Sequence, residues 1–323
     1  MKRLDHYWYS VNLISLLLLP LSILFCIIGK LRKLLYKTGV LKSYAAPVPV
    51  IVVGNISVGG TGKTPLIVEL VKQLQVKGKN PGVISRGYGG NAKQWPQPVS
   101  ADSSAELVGD EPVLIQNRTS CPVVVGPNRE DDINLLLENH ECDVILSDDG
   151  MQHYAMQRKF EIAVVDAERQ FGNGFCLPSG PLRENRSRLK KVDMVLLNGG
   201  DTDQVSFSMQ SAQCCPLDAQ NEKLLLSAFS GKKVHAVAGI GNPERFFNML
   251  RNNNINVVEH VFNDHFAYKE EDLIFGDQLP VLMTEKDAVK CKSFTLDQHW
   301  YVPVDITLSE TAQIKIDQFF NSL

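Results

Sequence analysis

The densest chemistry in the chain lies in eight consecutive residues, Ser57, Val58, Gly59, Gly60, Thr61, Gly62, Lys63 and Thr64. Glycines at this spacing let the backbone curl until its N–H groups point at one ligand, with no Cβ in the way of a phosphate oxygen. Lys63 would then reach the β- and γ-phosphates of ATP, and the Thr64 hydroxyl would face Mg²⁺. The common form of this loop, G-x-x-x-x-G-K-T, has glycine where Ser57 stands. A loop of this kind needs a carboxylate to help hold the metal. In D-V-I-L-S-D-D-G an apolar run leads from Asp143 to the adjacent acids Asp148 and Asp149. Neighbouring carboxylates repel unless a cation or a raised pKa relieves them.

Other charged residues sit among glycines and at the ends of apolar runs. Arg86 and Tyr88 lie in S-R-G-Y-G, where the arginine could clamp a phosphate and the tyrosine could lie against a sugar or acyl chain. Asp110 and Glu111, in V-G-D-E-P, precede a helical stretch, and in the structural reading they cap its N-terminus. Arg129 closes V-V-V-G-P-N-R, and P-S-G-P-L-R-E-N-R-S-R-L-K-K concentrates Arg183, Glu184, Arg186, Arg188, Lys190 and Lys191. Such a basic run is usually a solvated face, but beside a phosphate site it could receive an anionic substrate. His265, in F-N-D-H, reads from spacing alone as a structural or surface residue. Gly239 and Gly241 form a G-x-G without its third glycine, and Pro243 follows, which argues against a nicotinamide site.

The elements that must carry these residues are legible from periodicity. V-P-V-I-V-V-G-N is a short β-branched run, hence a buried strand, and L-I-V-E-L-V-K-Q-L has apolar residues at helical spacing. Strand, glycine loop and helix in that order are the setting a phosphate loop requires. Strands and helices alternate to about Ala212, which predicts a mainly parallel sheet with helices on both faces. The polar stretch Gln213 to Lys223 reads as a linker. Beyond it a smaller α/β unit follows, with W-Y-V-P-V-D-I as one of its strands. The expected division is an arm over 1–46, a phosphate-loop core over 47–222 and a second domain over 223–323.

With 323 residues, 44% apolar and 21% charged, the chain is an ordinary globular protein of about two domains. Seven cysteines without a C-x-x-C pair argue against a disulfide framework or a zinc site, and for a reducing compartment. The formal charge of −3 is unevenly spread: up to Val48 seven basic residues, including Lys2 and Arg3, face one acid, Asp5. A basic arm on an acidic body suits a membrane surface and not nucleic acid. Val11 to Gly29 carries no charge and would span about 28 Å as a helix, with Pro20 expected to kink it. A cleaved signal fits poorly, for no small-residue cleavage site follows promptly. A spanning helix, a helix in the interface beside the basic stretch Lys30 to Lys42, and a buried core helix remain, with membrane attachment favoured.

A phosphate loop does not choose among its users. Deviant-loop ATPases place an extra lysine before the paired glycines, where this chain has Val58, and a GTPase needs N-K-x-D where L-L-N-G-G-D lacks the lysine. Taken together, G-N-I-S-V-G-G-T-G-K-T-P, S-R-G-Y-G, G-D-E-P, V-G-P-N-R, S-D-D-G-M-Q-H, P-S-G-P-L-R-E, G-I-G-N-P-E-R-F, F-N-D-H and T-E-K-D resemble, over essentially the whole chain, the tetraacyldisaccharide 4′-kinases of lipid A biosynthesis. Ser57 is then a family feature, while Met151 stands where the family tends to have an aromatic.

The resemblance implies an ATP- and Mg²⁺-dependent lipid kinase. Its acceptor would be an acylated glucosamine disaccharide 1-phosphate, among the lipids of the Gram-negative inner membrane, at the cytoplasmic face. Asp110 would be the catalytic base, His265 its partner from the second domain and Lys63 the cation on the transferred group. Thr64, Asp148, Asp149 and Glu111 would serve the metal, and Arg86, Tyr88, Arg129, Gln152, Arg183 and Glu184 the substrate. If the domains close only over ATP and acceptor, Asp110 and His265 would stand apart in the empty chain. The alternative is a membrane-bound switch or positioning ATPase, which would release ADP without any sugar-lipid.

Overall fold

A computed structural model describes residues 4–201, 203–218, 222–294 and 296–323. Lys2 and Arg3 of the basic arm and residues 219–221 of the expected linker lie outside the described residues. The arm holds two helices, α1 (Leu13–Leu17) and α2 (Leu19–Lys37). Asn12 and Ser15 cap α1 reciprocally, each side chain accepting from the other's backbone N–H. Pro20 falls in the first turn of α2, where the missing N–H costs nothing. The uncharged run therefore divides at Leu18 instead of kinking at its middle. Among the described residues no helix is long and apolar enough to cross a membrane.

The core follows as β1 (Val50–Gly54), α3 (Lys63–Val76), β2 (Pro81–Ser85), β3 (Gln97–Val99), α4 (Ala105–Val108), α5 (Asp110–Thr119), β4 (Val123–Val125), α6 (Arg129–Asn139), β5 (Val144–Asp148), β6 (Phe160–Asp166), β7 (Met194–Asn198) and β8 (Ser206–Gln210). The chain then builds β9 (Gln213–Pro216), β10 (Leu224–Leu225), β11 (Lys233–Ala238), α7 (Pro243–Asn252), β12 (Asn256–Val261), β13 (Val281–Thr284), α8 (Glu285–Ala288) and β14 (His299–Val302). It ends with β15 (Asp305–Leu308) and α9 (Glu310–Phe320).

Among the described residues the large sheet runs β15-β8-β7-β6-β1-β5-β2-β4-β3, parallel except at its two edges. Both faces are covered. Ile51 and Val53 turn to α3, whose Leu66, Ile67, Leu70, Val71 and Leu74 are all 0% exposed, while Val50 and Val52 face Ile133 and Leu136 of α6. Each fully buried side chain of that size stabilises by about 1.5–3 kcal/mol, and Leu70→Ala would cost about 2–5 kcal/mol. Val53 pairs with Asp148, so the acid pair leaves the sheet beside the phosphate loop, at the carboxyl ends of parallel strands.

The second sheet runs β10-β9-β14-β13-β11-β12. Two expectations are corrected by strand membership. Gln213–Pro216, expected as linker, is β9 and pairs antiparallel with β14. W-Y-V-P-V-D-I is not one strand: β14 belongs to the small sheet, whereas β15 crosses back to β8. α9 then seals the large core with Ala312, Ile316, Phe319 and Phe320, Phe319 stacking on Phe160 at 3.7 Å. Residues 305–323 therefore return to the first unit. Periodicity marks a strand but carries no information on which sheet will pair it.

Candidate active site

The phosphate loop is held from both sides. Asn55, fully buried, donates to Gly59 O (3.5 Å) and to Thr61 Oγ1 (3.3 Å). From β7, Asn198 donates to Thr61 O (2.9 Å). Gly62 has a φ of 91°, and a Cβ there would stand 2.6 Å from Asn198 Nδ2, so only glycine fits. No side chain caps α3 at Gly62, which leaves its first N–H groups aimed at the loop's interior. Ser57 pairs with Leu182, and Val58 N–H donates to Pro181 O (2.8 Å). The serine thus joins a strand-like contact with the segment around Pro181. Met151 is fully buried and packs against Gly54, where a Cβ would stand 2.7 Å from Met151 Cγ.

The acid pair is split by its surroundings. Asp148 is 1% exposed and accepts from Ser85 Oγ at 3.1 Å. Burial, then the neighbouring Glu111 carboxylate, push Asp148 up to about 7. Burial alone would raise Asp149 too, but Lys63 (3.6 Å) and Arg183 (2.7 Å) outweigh it and hold that carboxyl at about 2. The Oδ1 atoms of both aspartates are buried without a hydrogen-bond partner. Among the described residues no three His, Cys, Asp or Glu side chains converge as a ready-made metal cage. A magnesium ion shared with nucleotide phosphates needs no such cage, because one or two carboxylates and water complete its shell. Two buried carboxylate oxygens without a hydrogen-bond partner, that of Asp149 3.6 Å from the Lys63 ammonium, fit that requirement.

Of the expected substrate residues, Arg86 and Tyr88 are exposed at the rim, and the Tyr88 ring lies 5.2 Å from that of His265. Arg129 differs from expectation. It is 3% exposed and bonded to Asp132 (2.9 Å), Gly126 O (3.2 Å) and Asp148 O (3.3 Å), so it braces the backbone beneath the acid pair. Gln152 donates to Asn55 O and to Glu184 (3.0 Å), and Glu184 also accepts from Tyr154. These side chains tie one loop to another. The basic run is likewise not a solvated face throughout: Arg188 is buried on Glu161, and Arg186 lies over Phe171.

The opposite wall is shared: α5 of the large unit brings Asp110 and Glu111, and the small unit brings Asp264, His265 and Lys286. Asp110 opens α5, is 3% exposed, and accepts from Glu111 N–H (2.8 Å) through Oδ1. Its Oδ2 lies 3.0 Å from His265 Nδ1, so the pair expected to stand apart is already formed. With Asp110 ionised, Nδ1 is the donor, and in the neutral ring Nε2 keeps the lone pair. Burial opposes the Asp110 charge, yet the His265 bond and the Lys286 ammonium hold its carboxyl below the usual range. The Asp110 bond, against burial, raises His265.

Lys286, from α8, was not singled out by spacing. Its Nζ lies 3.1 Å from Glu111, 3.2 Å from Asp264 and 3.9 Å from Asp110. Lys290 adds a contact of 3.9 Å to Asp110 and is held by the fully buried Asp287 at 2.8 Å. T-E-K-D was visible as a string, but nothing in the sequence says that it meets G-D-E-P across a domain boundary.

Comparison with known proteins is uniform. A family model described as Tetraacyldisaccharide-1-P 4′-kinase matches residues 14–321. The tetraacyldisaccharide 4′-kinase of Nitrosococcus oceani is 50% identical over 303 residues, covering 94% of this chain and 89% of its own. That of Actinobacillus succinogenes is 48% identical over 320 residues, covering 97% and 98%. Among solved structures, LpxK from Aquifex aeolicus in complex with ATP superposes with a TM-score of 0.78 at 30% identity, covering 95% of this chain and 99% of that one.

Proposed function

The chain belongs to the tetraacyldisaccharide-1-P 4′-kinase family, and on that premise we propose the reaction its site performs. It is an ATP-dependent lipid kinase that moves the γ-phosphoryl group to the 4′-hydroxyl of a tetraacyldisaccharide 1-phosphate. What supports this most is the nearness of a nucleotide-type phosphate loop to the Asp110–His265 pair: Asp148 feels both Lys63 of the loop and Glu111, the neighbour of Asp110.

The acceptor oxygen forms the new P–O bond while the bond from the γ-phosphorus to its bridging oxygen breaks, and ADP leaves. A sugar hydroxyl is far too weak an acid for a carboxylate to deprotonate in advance, so Asp110 and His265 receive the proton late, as one unit, while transfer proceeds. Lys63, beside Asp149 at the start of α3, would offset the charge that develops on the transferred group, and the loop's N–H groups would hold the remaining phosphates. Asp148, Asp149, Thr64 and Glu111 would hold Mg²⁺, which neutralises phosphate charge when bound. Glu111 is on Lys286 in this structure, and a metal would compete for it. Arg86 and Tyr88 are the rim groups placed to meet the disaccharide.

The arm supports a membrane-bound acceptor. On α2 the one buried residue among those described is polar, Ser22 at 3% exposure bonded to Cys176 O, with Cys26 half-buried nearby. Leu21, Ile23, Leu24, Ile27, Ile28 and Leu31 are each more than half exposed. That is a soluble helix turned inside out, and so large an apolar face marks contact with a non-aqueous phase. We place it in the inner-membrane interface at the cytoplasmic face, with basic residues such as Lys30 toward anionic headgroups.

The test is transfer from labelled ATP to an acylated glucosamine disaccharide 1-phosphate. Label at the 4′ position, with ADP release that requires acceptor, supports the reading. Acceptor-independent ADP release at the same rate would replace it with the switch ATPase.

A further inference from the structure

The string G-I-G-N-P-E-R-F has no role in the chemistry above, yet it lies at the junction of both walls. Gly241 reaches so close to the phosphate loop that a Cβ there would stand 3.1 Å from Gly60 N and 3.6 Å from Asp264 Oδ2, next to His265. Gly239 is similarly tight, with Tyr268, Asp287 and Asn263 at 2.6, 2.9 and 3.1 Å from its would-be Cβ, and its N–H donates to Asp287. The loop 239–241 is therefore a thin spacer between the phosphate loop on one side and the segment carrying Asp264 and His265 on the other.

Two arginines fix that spacer from outside. Arg245, on α7, donates to Asp166 Oδ2 at 2.8 Å. Asp166 ends β6, its side chain 4% exposed, and its other oxygen accepts from the N–H groups of Glu168 and Arg169. It thus orients the turn that presents Arg169, whose two terminal nitrogens each lie 3.4 Å from Gly241 O. Arg169 also lies against Gly59 and donates to Tyr9 of the arm. One buried carboxylate of the large unit anchors the small unit's loop through both contacts.

We infer that Asp166 and Arg245 form a docking joint that sets the register of His265 against Asp110 through the 239–241 loop. Arg245 is a positioning residue for phosphoryl transfer, acting through that loop and not on the reacting atoms. The inference rests on the proton-accepting role proposed for the Asp110–His265 pair. A displacement of about 1 Å in such a pair can cost about a hundredfold in rate, so a joint of this kind has leverage.

The full chain, with MgATP and the acylated disaccharide 1-phosphate, tests it through Arg245→Met, Arg245→Lys, Gly241→Ala, His265→Ala and the Arg245→Met/His265→Ala double variant. Gly241 has no left-handed φ, so alanine leaves its backbone unstrained and only presses the two loops apart. Rates are read well below each variant's melting temperature, so lost folding cannot imitate lost chemistry. Arg245→Met and Gly241→Ala should each lower kcat about ten- to a hundredfold while the directly measured ATP Kd moves less than about threefold. Arg245→Lys should recover part of the loss, because it keeps a cation on Asp166. In the double variant the Arg245→Met effect should largely vanish, since no aligned pair is left to disturb. Wild-type kcat in both Arg245→Met and Gly241→Ala, or strictly multiplicative losses in the double variant, would overturn the joint. Wild-type turnover in His265→Ala would instead overturn the dyad reading on which it rests.

Discussion

The two walls of the cleft are assembled over very different distances along the chain. One wall is contiguous: Ser57 to Thr64 provides loop, lysine and helix start, and β5 delivers Asp148 and Asp149 from the neighbouring strand. The other joins Asp110 to His265 across 155 residues and Glu111 to Lys286 across 175. The first is fixed by buried strands and glycine backbone, whatever the second unit does. The second exists only while the small sheet is docked, and mixed charges hold it: three carboxylates share Lys286. Without that cation, closure would crowd like charges into a half-dry site. The phosphate loop is thus built by local geometry, while the Asp110–His265 contact depends on docking.

If the first wall works on its own, Lys63→Ala should lower kcat by about three powers of ten or more with an unchanged melting temperature, because the backbone cradle survives. Near wild-type turnover would remove the loop from the reaction.

The second wall should show its dependence on docking as non-additivity. Asp110→Ala and His265→Ala should each cost about a hundredfold or more in kcat, with ATP affinity largely kept, and the double variant should be little worse than the poorer single. The competing outcome is a helix-terminus role for Asp110, which would cost about 1 kcal/mol of stability and leave kcat intact. Melting curves beside kinetics distinguish the two.

Returning to the first wall, Asp148→Ala or Asp149→Ala should raise the Mg²⁺ concentration for half-maximal rate by about tenfold or abolish activity. Asp149→Ala should be the more damaging, since it also releases Lys63 and Arg183. An unchanged Mg²⁺ titration in both variants would reduce the pair to a turn.

A further contrast lies outside the cleft, between α2 and α3, both rich in aliphatic residues and oppositely buried. Serine at Leu21, Leu24 and Ile28 together should shift the chain from anionic vesicles to the soluble fraction in a flotation assay. Unchanged flotation would assign membrane contact to another surface.

The smallest effect concerns His153, beneath the first wall. Burial, with Arg129 and Arg86 nearby, lowers it to about 4. A histidine depressed in the fold stays neutral there while the unfolded chain takes up a proton, so stability is lost as pH falls from about 6.5 toward 4. His153→Gln should therefore shrink the drop in melting temperature between pH 7 and pH 5; an identical drop in both chains would show that His153 is not titrating in this way.

How much was readable depended on how local each feature was. Periodicity gave β1, α3 and the alternation that predicts a parallel sheet, because those signals live within a dozen residues. It misplaced β9 and β15, since pairing partners are chosen by the assembled sheet edge. His265 looked bland by spacing, and the resemblance put Arg129 with the substrate, since an arginine after a strand end has no local mark of burial on Asp132.

By itself the sequence determined the phosphate loop, the acid pair beside it, the apolar arm and, through the resemblance of many short strings, the family. Glycine conformations, strand periods and charge runs are short-range properties, and they survive reading one residue at a time. The tertiary structure decided that burial pushes Asp148 up while Lys63 and Arg183 hold Asp149 down, that α2 turns its apolar side outward, and that β15 and α9 return to the first sheet. It also decided that Asp110 meets His265 beneath Lys286. Each of these depends on burial or on charges brought within about 4 Å, where a low dielectric makes the neighbour and not the residue type set the outcome.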